Sequence, residues 1–178
     1  MPRDISTKTL KKRGEKIFAD FFITRFNKHY SLSYATHSNE NESVSDTDVD
    51  IYATAKNGGI LKLQIKTGEP AWEAFWGSRI RHGSGMAVID VNIPKLLSGI
   101  INTAELKYPN KNDLVLLIGE KMQPIFDTQF AQLICRPFKD SGFKGIYLIK
   151  LPFDSGIPPY EGQVVAIKGI FGNNGETF

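Results

Sequence analysis

The segments SDTDVDIYAT at positions 45–54 and LKLQIKTG at positions 61–68 decide the fold, because each alternates polar and apolar residues along a predicted strand. The turn sequence KNGG at positions 56–59 separates them and predicts a β-hairpin. The apolar row consists of Val49, Ile51 and Ala53 on the first strand and Leu61, Leu63 and Ile65 on the second. The opposite face then carries Asp50, Gln64 and Lys66, a set of side chains that suits a divalent cation.

The length of the hairpin loop decides whether those three polar residues share a face. Residues directly opposite each other in an antiparallel pair lie on the same face of the sheet. A two-residue loop would turn one apolar row to the wrong side. We therefore predict an odd loop of three or five residues. A loop at 56–58 places Asp50 opposite Gln64, and a loop at 57–59 places it opposite Lys66.

Length and composition predict a single globular domain spanning residues 1–178, with 41% hydrophobic and 23% charged residues. No apolar run approaches the ~20 residues of a membrane span, so we expect no membrane partner. The basic N-terminal stretch is not followed by the apolar segment of a secretory signal. The single cysteine, Cys135, excludes an internal disulfide framework and is expected to be a buried thiol. A reducing, cytoplasmic location fits this composition.

Charge is distributed unevenly along the chain. Residues 1–30 contain eight Lys or Arg against three acids, whereas residues 38–50 contain five acids and no Lys or Arg. Such an arrangement fits a protein that attracts a polyanion and also binds a cation. On charge alone, two solvated surface segments are the simpler interpretation.

Periodicity predicts the remaining elements. The sequence predicts helices at 7–28, 94–108 and 128–135, and strands at 30–36, 86–91, 113–119, 145–151 and 163–169. The strand at 113–119 is almost continuously apolar, as expected of a strand covered on both faces. Glu15 flanks the apolar stripe of the first helix, so its carboxylate either leans toward the core or pairs with Lys11 or Lys12 on the surface.

The order helix, strand, hairpin, helix and buried strand, with an acid opening the second strand and Gln-x-Lys on the third, resembles the PD-(D/E)XK nuclease superfamily. The resemblance covers roughly residues 10–119. It implies an α/β fold with a restriction-endonuclease-like central mixed β-sheet flanked by helices (an αβββαβ core) at about 7–119, and extra C-terminal strands within 120–178. Two positions depart from the family pattern, because Val49 replaces its proline and Gln64 replaces the usual third-strand acid.

The resemblance also implies a function and a site. Its catalytic positions map onto Glu15, Asp50, Gln64 and Lys66. Asp50, the Gln64 side-chain oxygen and the Ile65 backbone carbonyl would bind Mg²⁺ or Mn²⁺. Lys66 would orient or deprotonate the attacking water, or stabilise charge on the phosphate. The implied activity is metal-dependent hydrolysis of phosphodiester bonds in DNA by a homodimer. The alternative is a catalytically weak or inactive module of the same fold that binds nucleic acid or a protein partner.

Basic residues outside the hairpin are the predicted contacts to nucleic-acid phosphates. They are Lys12, Arg13, Arg79, Arg81 and His82. The three aromatic residues between positions 72 and 76 are expected in the core, with stacking on unpaired bases as the alternative.

Overall fold

A computed structural model describes residues 7–38, 49–67, 92–120, 135–152 and 161–178. Its helices are α1 (Thr7–Tyr30) and α2 (Asn92–Lys107). Its strands are β1 (Tyr34–Ser38), β2 (Ile51–Ala55), β3 (Ile60–Thr67), β4 (Leu114–Glu120), β5 (Gly145–Lys150) and β6 (Gln163–Lys168). The first two predicted helices, the hairpin and the three later strands are thereby confirmed. The predicted strand at 86–91, nearly all of the helix at 128–135 and the aromatic segment at 72–76 lie outside the described residues.

The first strand begins four residues later than predicted. Helix α1 continues to Tyr30, and Ser31 then adopts a left-handed backbone conformation with φ of 55°. The Leu32 N–H donates to the Asn27 carbonyl at 2.9 Å, and the Asn27 side chain binds both the N–H and the carbonyl of Tyr34. The alternating pattern from residue 30 onward thus includes the end of a helix, which period-two counting does not detect.

All six strands form one mixed sheet in the order β1-β2-β3-β4-β5-β6. The pairs β3–β4 and β4–β5 are parallel and the other three pairs are antiparallel. Helix α2 lies in the chain between β3 and β4, where a parallel pair requires a long crossover. The carboxyl ends of β3, β4 and β5 therefore meet at one edge of the sheet, together with the start of β2. We call this side the carboxyl edge.

The sheet is covered on both faces. The stripe Phe18, Phe22 and Phe26 of α1 packs on one face, and Leu97, Ile101 and Ala104 of α2 pack on the other. Strand β4 alternates between the two layers: Val115 and Leu117 belong to the α1 layer, and Leu114, Leu116 and Ile118 to the α2 layer. These five residues are at most 2% exposed, which confirms the prediction of a strand buried on both sides.

The hairpin loop contains three residues, 56–58, as the parity argument predicts. The register pairs Ile51 with Leu63, and the Ala55 N–H donates to the Gly59 carbonyl at 2.8 Å to close the loop. Gly58 supplies the positive φ of 85° that this bulged loop needs. The strand pairing ends at Ile51 and Leu63, and just beyond it the Asp50 N–H donates to the Leu63 carbonyl at 3.0 Å while the Asp50 side chain contacts Gln64.

The prediction that Val49 shares a face with Ile51 and Ala53 is wrong. Val49 packs in the α2 layer, whereas Ile51 and Ala53 pack in the α1 layer. Strand β2 begins only at Ile51, and the backbone bends at Asp50. Alternation holds only within extended backbone, so it does not extend through this bend.

The last residues of the chain return along β6. Val164 and Phe178 exchange backbone hydrogen bonds of 2.7 and 2.9 Å, and the Ala166 N–H donates to the Glu176 carbonyl. The Glu176 carboxylate accepts a hydrogen bond from the Tyr30 hydroxyl, which ties this segment to α1. The outer edge of β6 is thus paired over these residues rather than exposed.

Candidate active site

Asp50 and Gln64 meet across the hairpin at the carboxyl edge. One carboxylate oxygen of Asp50, Oδ2, accepts hydrogen bonds from the Gln64 amide at 2.7 Å and from the Ile65 backbone N–H at 2.8 Å. Gln64 is only 6% exposed, so the pair lies in a largely dehydrated environment. The structure therefore brings together the two residues that the sequence assigns to the centre of the site.

Burial raises the pKa of Asp50 above its ordinary value. The Ile65 N–H and the positive charges of Lys11, Lys66 and Lys107 act in the opposite direction but do not cancel that effect. Three basic side chains from three different elements thus act electrostatically on one carboxylate. A further cation at this position would favour the ionised form of Asp50.

Glu15 is the second acid of the site, and it comes from α1. Phe18, one helical turn later, packs so closely on Gly119 that a Cβ there would lie 2.3 Å from its ring. This packing places the Glu15 end of α1 at the carboxyl edge. Burial is the main cause that raises the pKa of Glu15, and the negative charge of Asp50 is the next.

Both expectations for Glu15 hold. Its side chain is buried, at 6% exposure for the residue, and its Oε1 lies 3.4 Å from Lys11 Nζ. That distance is longer than a well-formed hydrogen bond, and within the described residues Oε1 is a buried acceptor with no hydrogen-bonded donor. The Lys11 ammonium is therefore a charge partner that compensates this buried carboxylate only in part, because the pKa of Glu15 stays raised.

Lys66 lies on the same face of β3 as Gln64 and reaches toward the end of α2. Its Nζ is 5.6 Å from the centre of the Tyr108 ring, and Lys107 Nζ is 5.2 Å from the same centre. Tyr108 is 2% exposed and belongs to the α2 layer, so packing fixes its ring. Sequence reasoning missed both Lys107 and Tyr108 as members of the site.

The other predicted residues divide into two groups. Lys12 and Arg13 are exposed on α1 beside Glu15, and the charge of Lys12 lowers the pKa of Glu15. Arg79, Arg81 and His82 lie outside the described residues.

Cys135 is confirmed as a buried thiol at 3% exposure. Burial raises its pKa to about 12, whereas an activated nucleophilic thiol has a lowered pKa.

The donor set fits a weakly held hard cation. No group of three or more His, Cys, Asp or Glu residues is placed to hold a metal ion in the described part of the chain. Asp50 and Glu15 supply two carboxylates, and Gln64 supplies an amide whose oxygen turns toward an ion when the amide plane rotates. Mg²⁺ sites commonly combine one or two carboxylates with substrate oxygens, and two carboxylates are what Asp50 and Glu15 supply.

Comparison with known proteins assigns no relative: no family model, no curated protein and no solved structure matches this chain. Among residues 7–38, 49–67, 92–120, 135–152 and 161–178, no helix combines the length and apolar character needed to cross a membrane.

Proposed function

We propose that this protein is a metal-dependent nuclease of the PD-(D/E)XK type that hydrolyses phosphodiester bonds in DNA. The observation that supports it most is that the buried acid Glu15 and the partly buried acid Asp50 lie at one edge of the sheet, where the charges of Asp50 and Lys66 act on their neighbours. The pKa of each acid is raised, and burial is the largest cause in both cases. Acids held at such a cost are concentrated at functional sites.

The ligands of the proposed ion are Asp50, the Gln64 amide oxygen, the Ile65 carbonyl and Glu15. Bound Mg²⁺ or Mn²⁺ would polarise the phosphoryl group and lower the pKa of a coordinated water. The hydrogen bond from the Ile65 N–H fixes the orientation of the Asp50 carboxylate before any ligand binds. A group held in this way needs little reorganisation during the reaction.

Lys66 supplies positive charge where negative charge develops on the phosphate. Its ammonium lies over the fixed Tyr108 ring, and its charge already acts on Asp50. An ammonium in a dehydrated site stabilises a developing anion more strongly than it would in water.

A second candidate is a module of the same fold that binds nucleic acid without cleaving it. The hydrogen bond of 2.7 Å from the Gln64 amide to Asp50 favours this alternative, because it satisfies the acid without a metal ion. The homodimer, the cytoplasmic location and the choice of DNA as substrate remain predictions in either case.

The deciding experiment incubates supercoiled plasmid and single-stranded DNA with Mn²⁺ or Mg²⁺ and compares Asp50→Asn and Lys66→Met with the unchanged protein. We expect each substitution to reduce the cleavage rate by about 100-fold or more, the scale of one acid–base or electrostatic contribution. Asp140→Asn and Lys139→Met remove the same charges from exposed positions in the turn before β5, and should cut at the normal rate.

The outcomes separate the two candidates. Cleavage that persists in both Asp50→Asn and Lys66→Met refutes the proposed site. Salt-dependent DNA binding without cleavage in either metal favours the binding module. Loss of cleavage in the two exposed controls as well would show that overall charge, rather than the site, determines the activity.

A further inference from the structure

Two lysines from different elements share one buried aromatic ring at the candidate site. Lys66 extends from β3 and Lys107 is the last residue of α2, and their ammonium groups lie 5.6 and 5.2 Å from the Tyr108 ring centre. The two ammonium groups are therefore no farther apart than the sum of these distances. Two positive charges within this limit can contact the same short stretch of a nucleic-acid strand.

Lys107 belongs electrostatically to the site, although nothing in the nuclease resemblance points to it. Its positive charge is among those that act on Asp50, together with Lys11 and Lys66. Lys107 is itself exposed, whereas Tyr108 beside it is buried. An exposed ammonium that borders a dehydrated acidic site can contact an incoming polyanion before the acids do.

The charges around the site are unequal. Among the described residues, the three lysines whose charges act on Asp50, which are Lys11, Lys66 and Lys107, outnumber the two acids, Asp50 and Glu15. A single divalent cation would make this excess larger. The excess positive charge is compensated when phosphate groups approach, so the arrangement favours a substrate that carries several negative charges.

We propose that Lys107 is a substrate-binding residue that, with Lys66, holds a DNA phosphate next to the scissile one. This inference rests on the proposed function for its choice of substrate, but it concerns binding rather than cleavage. The contact is to the backbone, so it contributes affinity without sequence preference.

A purely structural role for Lys107 is the competing explanation. A lysine in the last turn of a helix interacts favourably with the negative end of the helix dipole. Lys28 offers a matched control, because it is an exposed lysine in the last turn of α1. It lies about 20 Å along the helix axis from Glu15, at 1.5 Å per residue.

The test measures DNA binding by the full chain in EDTA, which prevents cleavage, with a fluorescent oligonucleotide that has one duplex and one single-stranded half. We expect Lys107→Gln to raise Kd about tenfold, which corresponds to the ~1.4 kcal/mol of one phosphate contact. The slope of log Kd against log salt concentration should fall by about 0.7 to 0.9. Lys107→Arg should restore both values, and Lys28→Gln should bind like the unchanged protein.

The failure of this inference can be distinguished from the failure of the proposed function. Equal affinity and equal salt slope for Lys107→Gln and Lys28→Gln overturn the role of Lys107, even when the unchanged protein cleaves DNA. Absence of DNA binding by the unchanged protein also overturns it. Binding that depends on Lys107, in a protein that cleaves nothing in Mn²⁺, supports the inference and refutes the nuclease.

Discussion

Replacing Gln64 with glutamate tests the central claim that the hairpin holds a cation. In the native site the Gln64 amide donates a 2.7 Å hydrogen bond to Asp50 Oδ2, in surroundings that leave Gln64 only 6% exposed. Gln64→Glu removes the donor and puts a second carboxyl group in its place. The variant also places an acid at the position where the PD-(D/E)XK pattern, which the sequence resembles, usually has one.

Without metal the substitution should destabilise the protein. A hydrogen bond to a charged group contributes about 1.5–3 kcal/mol, and the facing carboxylates add repulsion. Uptake of a proton by one of them limits that repulsion. We therefore expect the free energy of unfolding to fall by about 2–4 kcal/mol near neutral pH. Gln64→Met loses the hydrogen bond without adding charge, so its loss should be smaller, about 1–3 kcal/mol.

Mn²⁺ should reverse the loss of stability in Gln64→Glu but not in Gln64→Met. An ion that is present at a concentration 100 times its Kd stabilises the folded state by about 2.7 kcal/mol. The third carboxylate of Gln64→Glu should lower the Kd for Mn²⁺ and so increase this stabilisation. Urea unfolding followed by circular dichroism, in EDTA and in Mn²⁺, measures the difference. Mn²⁺ should raise the unfolding midpoint of Gln64→Glu most and that of Gln64→Met least. Equal shifts for both variants and the unchanged protein would refute a cation site at Asp50 and Gln64.

Three further predictions concern stability. Because the folded-state pKa of Glu15 is raised, its contribution to stability is present below the ordinary value of 4.5 and is lost as pH rises through the folded-state value. Glu15→Gln should therefore raise the free energy of unfolding at neutral pH by about 1 kcal/mol while reducing Mn²⁺-dependent cleavage, and urea titrations across this pH range should show a flatter profile. Gly119→Ala should cost about 1–3 kcal/mol in the same assay, because its methyl group would overlap the Phe18 ring. Gly99→Ala, on exposed helix with nothing within 4 Å of the new methyl group, should instead stabilise by up to about 1 kcal/mol.

Much of the fold could be predicted from local patterns, because the apolar residues within one element already show which of its faces must be buried. The hairpin is the clearest case: two apolar rows must face the same layer, and only an odd loop allows this. The position of Asp50 opposite Gln64 then follows from counting. The burial of strand β4 could also be predicted, since a continuous apolar run needs cover on both faces.

The rest depended on tertiary contacts that no local pattern contains. Val49 packs in the other layer because the chain bends at Asp50, the residue whose side chain and N–H both bind β3. Lys107 and Tyr108 look like the ordinary end of a helix, a basic residue and an aromatic before Pro109. Their place beside Lys66 becomes apparent only when the crossover brings α2 onto the sheet.

The amide at position 64 gives the site a specific energetic balance. The negative charge of Asp50 already raises the pKa of Glu15, and a third acid would add to this repulsion in the absence of metal. Gln64 removes that third charge and stabilises Asp50 through a hydrogen bond, so the metal-free fold becomes more stable. The same change lowers the negative charge available to a cation, so the proposed ion would rely on phosphate oxygens for part of its coordination. Metal and DNA should therefore bind cooperatively, with each increasing the affinity for the other by the same factor.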